Sequence, residues 1–240
     1  MDIKEIGGKI FNRAISEVLS FPCPVCKVNI TENGKNAFCG DCAPEFLEVL
    51  PPFCPGCGGE LDGALEVCGK CLKEEKRPWK KAVSIFRMNG AVQELIHRFK
   101  YKNTPELARL FGTMSVRKLA QENIKTDIIV PAPLHWMRKF IRGFNQSELL
   151  AEVISEKTGI PVSNCLSRIK WTKQQARLNR EERKKNLRGA FSIKKPLICK
   201  NSSILLIDDV ITTGSTLTAA TKELLKAGAR EVIVLIIARR

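Results

Sequence analysis

The sequence lacks a long hydrophobic run. Hydrophobic residues make up 44% of the 240-residue chain, but no stretch approaches the roughly 18 consecutive apolar residues that a membrane-spanning helix needs. The first 21 residues also lack the basic start and unbroken apolar core of a secretory signal, because charged side chains interrupt them. These absences predict a cytoplasmic protein that does not insert into a membrane.

Acidic residues are scarce relative to basic ones. The chain has 25 Asp and Glu against 40 Lys and Arg, a formal net charge of +15. Residues 1–72 hold 6 basic and 10 acidic residues, a net charge of −4, so the remainder has 34 against 15, a net charge of +19. An excess of this size favours polyanionic ligands, either nucleic acid or phosphorylated metabolites.

Cysteine, in contrast, is abundant, and eight of the ten cysteines form four C-x-x-C pairs in the acidic segment. In a reducing compartment such spacing indicates metal rather than disulfides. Two C-x-x-C turns together make a closed tetrahedral thiolate site, which suits structural zinc and leaves no position for catalysis. We therefore predict two zinc ions. The simplest arrangement is sequential, although the spacing alone leaves an interleaved cross-brace open: Cys23, Cys26, Cys39 and Cys42 on one ion, and Cys54, Cys57, Cys68 and Cys71 on the other.

The length of the chain suits one full domain and a smaller module. From about Trp79 the pattern becomes an alternation of apolar strands and amphipathic helices, which is typical of an α/β domain with a largely parallel sheet. The predicted organisation is a helix in residues 1–20, a double zinc ribbon in residues 21–78 and the α/β domain in residues 79–240.

The most informative segment runs from an apolar strand at 203–207 through Asp208 and Asp209 into a turn at 212–216 and a helix. Ligands of open α/β sheets bind beyond the carboxyl ends of the strands. Helix N–H groups and hydroxyls can cradle a phosphate there. The two carboxylates can accept hydrogen bonds from vicinal hydroxyls and lie near Mg²⁺ held by pyrophosphate. The segment therefore predicts a ribose 5-phosphate site, although a plain capped helix start is the simpler alternative.

Residues Leu205 to Thr216 resemble the phosphoribosyl-pyrophosphate (PRPP) signature of type I phosphoribosyltransferases: apolar residues, two acids, two apolar residues and Thr-Thr-Gly-x-Thr. The resemblance implies a type I phosphoribosyltransferase-like sheet behind the zinc-ribbon module. It assigns the ribose hydroxyls to Asp208 and Asp209. It assigns the 5-phosphate to the turn formed by Thr212, Thr213, Gly214, Ser215 and Thr216.

Three further stretches are similar to motifs of the ComF (competence protein F) family: residues 99–102, residues 130–146 and residues 175–191. By that resemblance the pyrophosphate loop consists of Pro131, Ala132, Pro133 and Leu134, followed by His135, Arg138 and Arg142 as donors. A loop of this kind often contains a non-proline cis peptide. Asp208, Asp209 and Arg142 become the candidate catalytic residues. For His135 the alternative is a surface residue beside Trp136.

A basic run from Arg168 to Arg188 contains nine basic and two acidic residues. Such a run is usually a solvated, mobile loop. Two functional alternatives compete with that interpretation: a lid over pyrophosphate, or a patch that contacts nucleic-acid phosphates.

The family resemblance implies PRPP binding with Mg²⁺ in a protein that acts in DNA uptake during natural transformation. An active enzyme would be a phosphoribosyltransferase with an acceptor that the sequence does not identify. The alternative is a competence factor without catalysis that binds single-stranded DNA and uses the PRPP site as a sensor. A helicase-like competence protein is a further candidate partner. A third alternative is an allosteric purine-type regulator on the same fold, but such a regulator would need a DNA-binding domain, and the acidic ribbon is a poor candidate for one.

Overall fold

A computed structural model describes residues 21–30, 38–170 and 189–240, except residues 62, 64, 75, 103 and 105. The predicted helix at 1–20 and residues 171–188 of the basic run lie outside the described residues. The chain divides into two compact units, Met1–Leu47 and Glu48–Arg240. Among the described residues, no helix has the length and apolar character needed to cross a membrane.

The first unit contains the first four paired cysteines. Strands β1 (Phe21–Pro22) and β2 (Asn29–Ile30) pair antiparallel, and a 3-10 helix spans Ala43–Glu45. The rings of Phe38 and Phe46 stack with their centroids 4.0 Å apart. Both rings are buried, so they provide a small apolar core beside the cysteines.

The second unit is an α/β domain that also includes the second group of cysteines. Its helices and strands, in chain order, are α1 (Gly69–Leu72), β3 (Lys81–Arg87), α2 (Gly90–Tyr101), α3 (Glu106–Gln121), β4 (Ile128–Pro131), α4 (Trp136–Arg142), α5 (Gln146–Thr158), β5 (Leu166–Arg168), β6 (Phe191–Ile193), α6 (Pro196–Cys199), β7 (Ser203–Ile211), α7 (Ser215–Lys226) and β8 (Glu231–Arg239).

The main sheet has four parallel strands in the order β3-β8-β7-β4. Pro131, the last residue of β4, lies opposite Ile207 of β7. Asp208 of β7 therefore lies one residue beyond the last pair between β4 and β7, at the carboxyl edge where ligands of parallel sheets bind. Strands β5 and β6 form a separate antiparallel pair. The predicted parallel α/β architecture is confirmed.

The central strands are apolar because helices cover both of their faces. Ile204 and Leu206 of β7 belong to a buried cluster with Leu217 and Leu224 of α7, while the alternating residue Leu205 points to the other face and is also buried. On that second face α3 packs against α5. The loops that follow the strands therefore extend from a packed core.

Two asparagines begin the helices next to the carboxyl edge. Asn89 accepts a hydrogen bond from the amide of Val92 at the start of α2, and Asn145 accepts one from the amide of Ser147 at the start of α5. Each side chain satisfies an amide that the helix leaves without a backbone acceptor.

Candidate functional site

The phosphate loop, defined here as Thr212–Thr216, connects β7 to α7. Gly214 has a φ of +71° and caps α7, which begins with the bond from the Thr218 amide to the Gly214 carbonyl, 2.8 Å long. Only glycine adopts this backbone conformation readily. The hydroxyls of Thr213 and Ser215 lie 2.9 Å apart. A turn of hydroxyls at a helix N-terminus can bind a phosphate monoester.

The acidic pair lies at the end of the buried part of β7. The amide of Asp209 donates to Oδ1 of Asp208 at 2.9 Å. Nζ of Lys100, near the end of α2, lies 2.8 Å from Oδ2 of Asp209, and both side chains are mostly buried. The ends of β7 and α2 thus bring their charged groups to one place.

Asp208 does not ionise as an ordinary carboxyl group. Burial raises the pKa of Asp208 from an ordinary 3.8 to about 7, and the negative charge of Asp209 acts in the same direction. The Asp209 amide, Lys100 and Arg168 oppose the shift. At neutral pH the pair therefore carries less negative charge than two free carboxylates.

The pyrophosphate loop, Pro131–Leu134, runs beside the acidic pair. The amide of Ala132 donates to the carbonyl of Ile207, the residue before Asp208, at 2.8 Å. The carbonyl of Ala132 accepts a bond of 3.1 Å from Nδ2 of the buried Asn145. All peptide bonds of the loop are trans, so it lacks the cis peptide that type I transferases often have there. The first bond fixes the loop against β7, the strand that carries the acids, and the second joins it to the start of α5.

His135 is not a surface residue, in contrast to the simpler sequence-based alternative. It is 4% exposed, and its Nδ1 accepts a bond of 3.3 Å from the amide of Met137 at the start of α4. The residue therefore helps to begin α4 directly after the pyrophosphate loop. This capping role is compatible with a ligand contact through its other ring nitrogen, and the ligand contact stays a prediction.

Arg142 lies at the end of α4 and joins that helix to α2. Its guanidinium stacks on the ring of Tyr101 at 4.7 Å and donates to the Tyr101 hydroxyl at 2.9 Å. It also donates to Oε1 of Gln146 at 3.1 Å. Arg142 thus contacts Tyr101, the residue that follows Lys100 in the sequence, and Lys100 is the partner of Asp209.

Two further arginines face the same region. Burial lowers the pKa of Arg168 to about 10; the charge of Arg138 lowers it further, and that of Asp208 raises it. Burial also lowers the pKa of Arg138, as does the charge of Arg142. Arg168 is 8% exposed and lies over the ring of Phe191 at 5.6 Å. A partly desolvated group of cations beside the acids suits a ligand with several phosphates.

The eight paired cysteines form two tetrads that could each hold a metal ion. The first tetrad comprises Cys23, Cys26, Cys39 and Cys42, and the second tetrad comprises Cys54, Cys57, Cys68 and Cys71. Within each tetrad the sulfur atoms all lie within 4.8 Å of one another. The structure thus groups the pairs sequentially and not as an interleaved cross-brace.

The chemistry of the second tetrad fits zinc. Burial tends to raise the pKa of Cys68, but hydrogen bonds, first from the Cys71 backbone, lower it to about 7. Burial raises the pKa of Cys57 to about 11. Four sulfurs this close cannot all be thiolates without a cation among them. Zn²⁺ would supply that charge and make the tetrad a closed structural site.

The described residues offer no comparable set for Mg²⁺. The two cysteine tetrads are the only groups of three or more potential metal ligands among them, and Lys100 already occupies one oxygen of Asp209. This arrangement suits the usual mode of Mg²⁺ in phosphate sites, where the ion arrives with the phosphates and takes few protein ligands.

Sequence reasoning did not assign Lys100 and Arg168 to the site. Lys100 appeared only in the motif at 99–102, and Arg168 only as the first residue of the basic run. The structure brings both next to the acidic pair. For Lys100 the motif itself was an available signal, whereas nothing in the local sequence distinguishes Arg168 from the cations that follow it.

The chain matches a family model and several curated proteins over most of its length. Residues 100–240 match the family model of the phosphoribosyl transferase domain. The competence protein F of Haemophilus influenzae is 36% identical over 231 residues, covering 92% of this chain and 97% of that protein. The DNA utilization protein YhgH of Escherichia coli K12 is 31% identical, covering 88% and 94%. Competence protein ComFC of Bacillus subtilis is 27% identical, covering 79% and 78%.

The comparison with solved structures finds the glutamine PRPP amidotransferase of Bacillus subtilis, at 20% identity and a TM-score of 0.41. The match covers 58% of this chain and 30% of the amidotransferase chain. The purine phosphoribosyltransferase of Pyrococcus horikoshii is 17% identical with a TM-score of 0.34, covering 54% and 80%. On the strength of its sequence relatives and of the domain match, the chain belongs to the competence protein F (ComF) family and carries a type I phosphoribosyltransferase fold.

Proposed function

We propose that this protein binds PRPP at the carboxyl edge of its parallel sheet. The 5-phosphate lies against the phosphate loop, the ribose hydroxyls face Asp208 and Asp209, and the pyrophosphate lies at Pro131–His135. One observation carries the proposal: the bond from the Ala132 amide to the Ile207 carbonyl fixes the pyrophosphate loop directly beside the acidic pair. The three parts of one ligand thus have adjacent places.

The charges support this assignment. Arg138 and Arg168 lie on the pyrophosphate side with Arg142. Burial lowers the pKa of Arg138 and of Arg168, and the charge of a neighbouring arginine lowers each further, so an anion bound there would relieve the repulsion. Lys100 lies on the ribose side and holds Asp209 in place. A ligand with a diphosphate at one end and a hydroxylated sugar in the middle complements both groups.

Mg²⁺ bound with the pyrophosphate would offset its negative charge and make it a better leaving group. The chain's own residues would hold the ligand at both ends and keep the ribose hydroxyls oriented through Asp208 and Asp209. They would thereby align the sugar carbon with an incoming nucleophile. In a transferase reaction, the bond from C1 to the pyrophosphate oxygen breaks, a bond from C1 to the acceptor forms, and pyrophosphate leaves with the electron pair.

We also propose that the protein acts in DNA uptake and use. The relatives at 36% and 31% identity are named for competence and DNA utilization, and they match this chain over most of its length. The net charge of +19 outside the first 72 residues favours nucleic-acid partners. The cysteines of the C-x-x-C pairs form no disulfides, which suits a reducing cytoplasm. Two structural zinc ions at the tetrads complete this proposal.

Calorimetric titration of PRPP with Mg²⁺ tests the binding site. The wild-type protein should bind, and Asp208→Asn/Asp209→Asn should bind far more weakly, because amides are poorer acceptors for the ribose hydroxyls. Asp127→Asn is the matched control, since Asp127 lies at the opposite edge of the sheet and bonds Ser203. If the wild-type protein does not bind PRPP, the site assignment is wrong.

A second measurement separates an enzyme from a sensor. Pyrophosphate release is followed with PRPP and candidate acceptors, including free bases, amines and single-stranded DNA. Release with one acceptor identifies a phosphoribosyltransferase. Tight PRPP binding without release in any mixture favours the alternative of a competence factor without catalysis.

A further inference from the structure

We infer that the second tetrad positions the phosphate loop through Arg77 and Trp79, so that metal at this tetrad controls the affinity for the phosphorylated end of the ligand. Arg77 and Trp79 lie outside the ligand site and act as positioning residues. The expected effect on ligand binding rests on the proposed PRPP site, whereas the effect on the loop itself is measured without ligand.

The second tetrad is joined to the sheet by its backbone. The Ala82 amide of β3 donates to the Pro55 carbonyl at 2.8 Å. Gly58, with a φ of +70°, lies so close to β3 that a Cβ there would be 2.8 Å from the Ser84 nitrogen. At the end of β8, Nη2 of Arg239 lies 3.9 Å from the sulfur of Cys68. The tetrad is therefore attached to two strands of the sheet.

Trp79 and Arg77 connect this tetrad to the phosphate loop. Nε1 of Trp79 donates to the Gly56 carbonyl, between Cys54 and Cys57, at 3.1 Å. Nη1 of Arg77 donates to the Thr213 carbonyl at 2.9 Å. The Arg77 guanidinium also lies 5.4 Å from the centre of the Trp79 ring. A continuous chain of contacts thus runs from the cysteine turn to the loop.

Arg77 and Trp79 also pack closely against Gly214 of the phosphate loop. A Cβ at Gly214 would lie 2.9 Å from Nη1 of Arg77 and 3.2 Å from Cη2 of Trp79. Trp79 is 5% exposed and belongs to the same buried cluster as Leu217 of α7. The two side chains therefore form the floor of the phosphate loop, and a shift of either one displaces the Thr213 and Gly214 backbone.

Metal at the second tetrad would hold the Gly56 carbonyl in its present position, because Gly56 lies inside one of the two cysteine turns. Loss of the metal frees that turn, and the Trp79 and Arg77 contacts lose their anchor. The energetic path is physical contact between packed and hydrogen-bonded groups, which is how coupling between neighbouring sites is carried. The phosphate end of the ligand should respond, and the pyrophosphate end should not.

The first experiment compares Arg77→Leu with wild type, with ribose 5-phosphate and inorganic pyrophosphate as separate probes. We expect a dissociation constant for ribose 5-phosphate that is about tenfold higher in the variant. The variant loses the bond to the Thr213 carbonyl and the ion pair with Glu74 that holds the guanidinium. Affinity for pyrophosphate should be unchanged. Arg77→Lys should recover part of the loss, and the zinc content should match that of wild type.

Arg87→Leu is the matched control. Arg87 lies in the same unit and is paired with Glu60, its Nη2 2.7 Å from Oε1. The described structure shows no bond from it to the phosphate loop. The same change at this position should leave both dissociation constants at their wild-type values.

The second experiment isolates the metal. A Cys26→Ser/Cys42→Ser background retains only the second tetrad. Chelation should weaken ribose 5-phosphate binding in that background, and one equivalent of Zn²⁺ should restore it. In the same background with Arg77→Leu, chelation should have a much smaller effect, because the connection is already broken.

Hydrogen exchange of the first bonded amides of α7, beginning with Thr218, whose amide donates to the Gly214 carbonyl at 2.8 Å, provides the measurement without ligand. Exchange there should accelerate in Arg77→Leu while the amides of β4 stay protected. Wild-type exchange at these amides in Arg77→Leu would overturn the inference, as would equal effects of chelation on ribose 5-phosphate and pyrophosphate. A wild-type protein that binds neither probe contradicts the proposed function alone, since the exchange result still decides the inference.

Discussion

Lys100 and Asp209 form an ion pair of 2.8 Å that joins the end of α2 to the end of the buried part of β7. Neighbouring Asp208 responds to this lysine, whose positive charge opposes the rise in its pKa. The pair therefore links the position of α2 to the protonation of the acidic site.

Removal of Lys100 should raise the pKa of Asp208 above about 7 and leave Asp209 without its cation. In Lys100→Met, PRPP affinity at pH 7.5 should fall by about tenfold, the loss expected when a charged partner is removed. The midpoint of binding against pH should also move upward. Calorimetric titration over a pH series measures both quantities.

Lys102→Met is the control for that variant. Lys102 is more exposed and lies 3.8 Å from Glu94, away from the acidic pair. Its loss should leave the pH midpoint unchanged. An equal shift in both variants would mean that the lysines act through general charge and not through the Asp209 contact.

Asp208 should release a proton when PRPP binds with Mg²⁺ between about pH 6 and 7, because its pKa is about 7 before binding and the ribose hydroxyls and nearby cation favour the carboxylate. Calorimetry in buffers with different ionisation enthalpies measures this proton. The release should disappear at pH 8.5 and in Asp208→Asn. Release that persists in Asp208→Asn would assign the proton to another group.

The same raised pKa predicts a stability effect. Between the ordinary value of 3.8 and the folded value of about 7, the folded protein holds this proton more tightly than the unfolded chain. The carboxyl therefore destabilises the fold as pH rises through that window. Asp208→Asn should be more stable than wild type at pH 8 and lose that advantage near pH 4. Denaturant unfolding at the two pH values checks the sign.

The tetrads predict two zinc ions per chain, visible by native mass spectrometry. Chelation should lower the melting temperature, because the closed thiolate sites contribute to folding. Cys199→Ala is the control, since Cys199 pairs with Cys165 at 3.6 Å outside the tetrads. That variant should retain both ions, whereas Cys68→Ser should retain one.

Packing between α3 and α5 gives a prediction independent of ligands. A Cβ at Gly112 would lie 2.5 Å from Cγ1 and 2.8 Å from Cβ of Val153. Alanine favours a helix by about 1 kcal/mol relative to glycine, but a clash with a branched side chain costs about 1 to 3 kcal/mol. Gly112→Ala should therefore be destabilised. In Gly112→Ala/Val153→Ala the damage should be less than additive, as measured by urea unfolding.

Much of the site followed from local sequence. An apolar strand, two acids, a hydroxyl-rich turn and a helix are consecutive in the chain, so the position of Asp208 and of the phosphate loop could be predicted from residues 203–216. The end of β4 at Pro131 followed in the same way, as did the parallel sheet.

The remaining contacts depend on segments far apart in the chain. Arg77 meets Thr213 across 136 positions, and Lys100 meets Asp209 across 109 positions, from a helix whose sequence also suits a solvated lysine. His135 was open to two interpretations because histidine occurs both on surfaces and in interiors. Its burial depends on how α4 packs, which local patterns do not determine.

The strand order has a consequence for biosynthesis. Within the described sheet β3 pairs only with β8, which emerges from the ribosome last among these strands. Until then β3 lacks its partner strand in the sheet, and the cysteine turn attached to Ala82 lacks the Arg239 contact at the end of β8. Strands that pair over such long sequence separations fold slowly, and their unpaired edges are prone to aggregation until they pair. The nascent chain should therefore complete its ligand site only after translation of β8, and chaperones should bind it up to that moment.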